Sequence, residues 1–291
     1  MTAALPLHRQ RSPLWFAYRR FVANKAAVVA GVILVVLILM AILAPLVTTG
    51  GPSEQRFLTK ALAFPSADHW FGVDDLGRDF FTRIVYGARV SLTIGFSAAV
   101  FSVLIGIPLG AVAGYYGGRA DWCVMRLIEL FSVIPPLLAA MLLGALTQGG
   151  FFTIVLIAAL FGWVQVCLLV RAQIKAFKEK EFVRAAQALG ATPGYIIRRH
   201  LIPNSISPII VGFVLAIPLA MMLEASLSFL GIGVPPPTPS WGQMINTGMN
   251  FMYFYWHMAV FPTAALAITV LATTLFGDGL RDALDPTLKG R

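Results

Sequence analysis

Four histidines, two cysteines and thirteen acidic side chains are the groups that could carry covalent, metal or proton chemistry in this 291-residue chain, and their spacing suits none of it. His8, His69, His200 and His257 are scattered along the sequence, and Cys123 and Cys167 read as buried small hydrophobes in or beside apolar stretches. The sequence has no GxxxxGK[ST] phosphate loop, no HExxH and no GxSxG. It is therefore expected to bind no metal or cofactor and to have no nucleotide site of its own. An ion-coupled carrier needs ionisable groups at membrane depth. Here Glu224 stands at the end of an apolar run, and Gln165 is a neutral polar group inside another. Glu224 has two readings: a substrate contact at the outer mouth of a pathway, or a hydrogen-bonding anchor for the Pro-rich stretch behind it.

The segment whose chemistry is most distinctive is EFVRAAQALGATPGYIIRRHLIPN, residues 181–204. It holds no catalytic constellation, so its chemistry is that of a contact surface. Residues 172–189 read as an amphipathic helix with Gly190 at its C′ position. Thr192 reads as an N-cap with Pro193 at the first helical position, opening a second short helix that stops before Pro203. Ala185 and Ala186 make a shallow face, and Phe182 and Tyr195 flank it as anchors for a partner's groove. The same pair of helices also fits a position on lipid headgroups, with Lys175, Lys178 and Lys180 against anionic lipid.

The elements that position these residues are apolar. The chain is 58% hydrophobic and 12% charged, about half the charge usual in a soluble domain. Runs of about 20 apolar residues span a hydrocarbon core of roughly 30 Å. Six candidates occur, at about 26–47, 90–113, 126–147, 151–170, 205–224 and 257–276. In the third, Arg126 and Glu129 stand one turn apart and can pair. The first run is too long for a signal h-region and reads as a retained span.

With the N-terminus inside, segments 1–25, 114–126, 171–204 and 277–291 carry 5, 2, 7 and 3 of the 22 basic residues. The positive-inside rule then puts both termini and residues 181–204 in the cytoplasm. The net charge of +9 is spread through the gaps between apolar runs rather than over one polar face, which argues against nucleic acid. The outer loops are 48–89, with the turn cluster GVDDLGRD, and 225–256, whose charge-free GIGVPPPTPSWG must be covered by protein. Gly106, Gly110 and Gly114 recur every fourth residue, a spacing that lets another helix approach closely, within the chain or at a subunit interface. Pro135–Pro136 and Pro218 are expected to kink the third and fifth spans.

RAAQALG followed by RRHLIPN resembles the EAA motif of the membrane subunits of bacterial ABC importers, E-A-A-x-x-x-G, nine residues, then I-x-L-P. Ala185, Ala186, Gly190 and Pro203 match and Ile202 replaces the leucine conservatively, while Arg184 and His200 depart from the pattern. FGVDDLGRDFFTRIVYGARVSL, EASLSFLGIGVPPPTPSWGQM and LFGDGLRDALDPTLK look like the C-type permeases of dipeptide/oligopeptide importers. The resemblance implies an all-α, six-helix membrane protein of the type I ABC importer permease fold, in the bacterial cytoplasmic membrane. It implies a cytoplasmic segment 1–25, a permease domain 26–291, and a coupling loop 171–204 that uses Phe182, Arg184, Ala185, Ala186, Gly190, Tyr195 and Pro203. The implied partners are a second homologous permease, two cytoplasmic ATPase subunits that use ATP and Mg, an extracytoplasmic peptide-binding protein and membrane lipid. Nickel and glutathione permeases share these blocks and are the alternatives within the class. A stand-alone secondary carrier or channel is the alternative outside it.

Overall fold

The computed structural model describes residues 13–147 and 149–284. His8, Arg9, Arg11, Gln148 of the TQGG connection and residues 285–291 lie outside them. Among the described residues the architecture is helical, with a single isolated bridge between Val73 and Asp79. Helix α1 (Pro13–Ala23) is followed by α2 (Lys25–Ile42), which Asn24 caps by accepting the Ala27 N–H at 3.1 Å. Leu43 closes α2, and Pro45 stands in the first turn of α3 (Ala44–Val47), where a missing N–H costs nothing. The first span is thus a long helix with a short offset turn.

The second span is α4 (Phe80–Tyr116), 37 residues or about 55 Å. It starts ten residues before the expected 90. Charge marked the expected boundary, but helix formation is decided by capping: Asp79 Oδ2 accepts the Thr82 N–H and hydroxyl, both at 2.8 Å. The third span is two helices, α5 (Gly118–Val133) and α6 (Pro136–Thr147), bent by 79° at Pro135–Pro136. Arg126 and Glu129 pair on α5 at 2.6 Å. Cys123 is exposed on α5 rather than buried, because that helix turns Val124 and Ile128 inward; Cys167 is buried as expected.

Helix α7 (Phe151–Lys178) then runs eight residues past the expected end at 170. Residues 172–178 belong to it, so the single helix expected over 172–189 is interrupted at Glu179–Lys180. The chain continues through α8 (Glu181–Ala188), α9 (Pro193–Ile196), a π-turn at Ile197–Leu201 and α10 (Ile202–Asn204). Three further helices follow: α11 (Ile206–Phe229), α12 (Trp241–Met249) and α13 (His257–Leu284). Pro218 lies inside α11, which runs through it unbroken. Helices α2, α4, α7, α11 and α13 are long and apolar enough to cross a membrane, and the bent pair α5–α6 makes six if it is one span.

Helices α4 and α7 form the centre of the bundle, and the glycine repeat is what lets them touch. A Cβ at Gly110 would lie 2.6 Å from the Cys167 carbonyl oxygen, and one at Gly106 or Gly114 would lie 2.7 Å from Val166 Cβ or 2.8 Å from Ile174 Cβ. The repeat therefore serves packing within the chain. Outward-facing positions such as Val29, Val32, Val36 and Leu39 on α2 stay exposed and apolar, as hydrocarbon solvent permits.

Alternation of the spans gathers 48–79, the α6–α7 turn and 230–256 at one end. The opposite end carries α1, the α4–α5 turn and α8–α10. A three-way ion cluster ties that opposite end together: Asp121 on α5 accepts from Arg171 Nε, from Arg171 Nη2 at 2.8 Å and from Lys175 Nζ at 2.7 Å, both donors on α7. This pairing explains how two cations extend a spanning helix.

Candidate functional site

The loop between α7 and α11 is built on three fully buried side chains. Val183 of α8, Ile196 of α9 and Leu201 of the π-turn are each 0% exposed and pack on Ala111, Tyr115, Val170, Ile174 and Ile209. Around Tyr115, Lys178 Nζ sits 5.6 Å from the ring centroid and Gln187 Nε2 donates to the hydroxyl at 3.5 Å. The loop is therefore seated on the ends of α4 and α7 as a packed cap.

Gly190 ends α8 in a Schellman motif. The Ala191 N–H donates to the Ala186 carbonyl at 3.0 Å and the Gly190 N–H to the Gln187 carbonyl at 2.9 Å, with Gly190 at φ +80°. Thr192 opens α9 with Pro193 behind it, as expected, although its side chain makes no capping hydrogen bond. The second helix does not stop before Pro203. The Ile202 N–H bonds to the Ile197 carbonyl, five residues back, and Pro203 enters the first turn of α10. A wider turn just before the proline leaves room for a residue that lacks a donor.

The outward surface of this cap carries Phe182, Leu189 and Tyr195, with Leu189 89% exposed. Phe182 and Tyr195 come together through His200, whose ring centroid is 6.3 Å from the first and 5.7 Å from the second. Ala185 is exposed and Ala186 half-buried beneath it. Arg184 reaches Glu179 at 3.2 Å with both side chains more than two-thirds exposed, a pair that contributes little to stability. Leu189 escaped the sequence reading, because only the cap geometry turns it outward.

At the other end, Glu224 is fully buried. Its Oε1 accepts from Ser228 Oγ at 2.7 Å and its Oε2 from Ser91 Oγ at 3.2 Å. Ser240 Oγ donates to Ser228 Oγ at 3.3 Å and caps α12 by accepting the Gln243 N–H. The Trp241 N–H lies 3.4 Å from Ser91 Oγ, and its indole donates to the Ile84 carbonyl at 3.0 Å. Val234, Pro239, Ser240 and Trp241 are buried, as a charge-free loop requires, while Pro235–Thr238 are exposed. Of its two readings, this geometry favours the anchor. Glu224→Ala is expected to leave the serine hydroxyls without their acceptor, at about 1–3 kcal/mol. Thermal unfolding in detergent should show the lowered midpoint, and hydrogen exchange should quicken over 240–249; Glu224→Gln should keep most of both.

Residues 106–290 match the family model described as the binding-protein-dependent transport system inner membrane component, and residues 12–65 match the N-terminal TM domain of oligopeptide transport permease C. The chain is 42% identical over 273 residues to the oligopeptide transport system permease protein OppC of Bacillus subtilis (strain 168), covering 94% of this chain and 89% of that one. It is 43% identical to the dipeptide transport system permease protein DppC of the same organism, covering 94% and 85%. Identity to the glutathione transport system permease protein GsiD of Pectobacterium atrosepticum is 39%, over 99% and 97%. An inward-facing structure of the MetNI methionine ABC transporter superposes with a TM-score of 0.55 at 18% identity, covering 70% of this chain and 96% of that chain, which supports the fold. With its bent third span, its glycine-packed α4 and α7 and its capped loop, this multi-pass membrane chain belongs to the family of binding-protein-dependent transport system inner membrane components.

Proposed function

We propose that the chain is a permease subunit of an ATP-driven importer that carries short peptides across the bacterial cytoplasmic membrane. The observation that carries this reading is the packed cap of α8–α10, with Phe182, Leu189 and Tyr195 turned outward. It stands at the end of the bundle that gathers the basic segments, which the positive-inside rule assigns to the cytoplasm along with both termini. The chain has no phosphate loop, so energy enters through that surface from two partner ATPase subunits that use ATP and Mg. Seated on α4 and α7, the cap passes a pull on α8 directly to the central helices. ATP binding then favours one of two arrangements of the bundle. A second, homologous permease completes the pathway, and an extracytoplasmic binding protein delivers substrate.

The relatives named for oligopeptide, dipeptide and glutathione transport share peptide bonds in their named cargo, which supports peptides as the substrate class. The 39% identity to the glutathione permease over nearly the full chain keeps glutathione as the second reading. The test is purification from the native membrane followed by reconstitution with the companion subunits. ATP-dependent peptide uptake that needs every subunit is the expected result. Gradient-driven flux through this chain by itself would overturn the reading in favour of a secondary carrier.

A further inference from the structure

A cleft of about 560 Å³ opens between α4, α6, α7 and α11, within the range of small-ligand pockets. Small residues, Ala158 and Gly162 from α7 and Gly212 and Ala216 from α11, share its walls with bulky ones such as Phe161 and Leu219, and Ser102 lines it from α4. None of the residues lining it is ionisable. Ser102 is buried and donates to the Ala98 carbonyl at 2.8 Å within its own helix. Gln165, at the midpoint of α7, is different. It is exposed, lines the cleft and makes no hydrogen bond to any described residue. A carboxamide presents two N–H donors and an acceptor oxygen, and hydrocarbon satisfies neither. A polar occupant of the cleft would satisfy both.

We propose that this cleft is the chain's share of the substrate path and that Gln165 pairs with the backbone amides of the passing peptide. The inference rests on the peptide-import reading. A carboxamide offers one donor and one acceptor side by side, which complements the N–H and C=O that one residue of an extended peptide turns to the same side. The cleft supplies no charge to select termini or charged side chains, and its walls are largely apolar. Recognition in this cleft is thus made through what all peptides share.

The experiment uses the complete transporter in proteoliposomes. In a Cys123→Ser background, with Cys167 fully buried, the variants Gln165→Cys and Ala216→Cys probe opposite walls. Both are expected to react with a charged methanethiosulfonate, to an extent that changes with ATP and falls when peptide is present. Reaction with membrane-soluble maleimide only would make the cleft lipid-facing, and no reaction in any state would mean that the partner permease fills it; either result overturns the proposal. Gln165→Leu is expected to raise the uptake KM about tenfold for acidic, basic and apolar peptides alike. A backbone N-methylated peptide, already poor in the unaltered complex, should lose nothing further. A loss confined to one side-chain class would overturn backbone pairing. ATP-dependent labelling in a complex that transports no peptide of any class would keep the cleft as the pathway but overturn both the pairing and the peptide reading.

Discussion

Gly190→Val is expected to leave the chain inserted in the membrane and to cut ATP-driven uptake and retention of the ATPase subunits by about tenfold or more. Gly190 holds φ +80°, and a Cβ there would meet nothing within 4 Å. The cost of valine is therefore one of backbone conformation, with no steric clash. The left-handed region costs an L-residue about 1–2 kcal/mol, and a β-branched side chain is placed worst there. The chain can relieve that strain by giving up the two hydrogen bonds that close α8. Leu189 and Phe182 then lose their set position relative to Tyr195, and a docking surface depends on that relation. A loss of 1.4 kcal/mol is a tenfold change in an equilibrium. Gly190→Asn should keep most activity, since asparagine tolerates the left-handed region. Membrane yield, co-purification of the ATPases and uptake measured together separate coupling from folding. Full uptake with valine would remove this loop from the docking role.

Asp74→Ala should have the largest effect on stability, about 3–5 kcal/mol. Asp74 is 2% exposed, and Arg78 and Arg83 around it are 8% and 3% exposed. One carboxylate oxygen accepts the Leu76 and Arg78 N–H groups at 3.0 and 2.9 Å. The other accepts Arg78 Nε at 2.6 Å and lies 3.3 Å from Arg83 Nε. Arg83 also reaches back to the Pro52 carbonyl at 3.1 Å, so this one acid pins the segment from 52 to the start of α4. Without it two buried guanidinium groups face each other. Asp75 is a poor substitute: burial, more than the neighbouring Asp74 charge, pushes its carboxyl above the usual carboxylate range. Its oxygen is also 3.9 Å from Arg78 Nη2. Thermal unfolding in detergent should show the loss, and proteolysis should open residues 48–79 first. A double variant, Asp74→Leu with Arg83→Met, should recover part of it, because the unpaired charge is the main cost. Equal losses in the single and double variants would assign the effect to the loop's backbone bonds instead.

Several residues show why parts of the molecule were legible beforehand. Gly190 could be placed because a helix stop is a property of one residue's backbone, and Gly106, Gly110 and Gly114 because a four-residue spacing defines one helix face. Pro135–Pro136 declared the bend by removing two consecutive donors. The ends of α4 and α7 differ from expectation for a shared reason. In the sequence a charge reads as the end of a span, yet Arg83 and Arg171 continue their helices with acids from other segments beside them. Pro203 misled in the same way: a proline reads as a stop, and a π-turn ahead of it lets the helix pass.

From its order of residues, then, this protein had already settled its apolar spans, the segments that carry its basic residues and the turn at Gly190. These depend on hydropathy summed over about twenty neighbours or on the freedom of a single backbone. Tertiary structure decided which polar groups meet. Glu224 and Ser91 stand 133 residues apart, Trp241 and Ile84 157 apart, and Gln165 faces a cleft whose opposite wall comes from α11. A polar side chain in a membrane must find a partner, but hydropathy records only that it is polar. The partner is chosen when the helices pack.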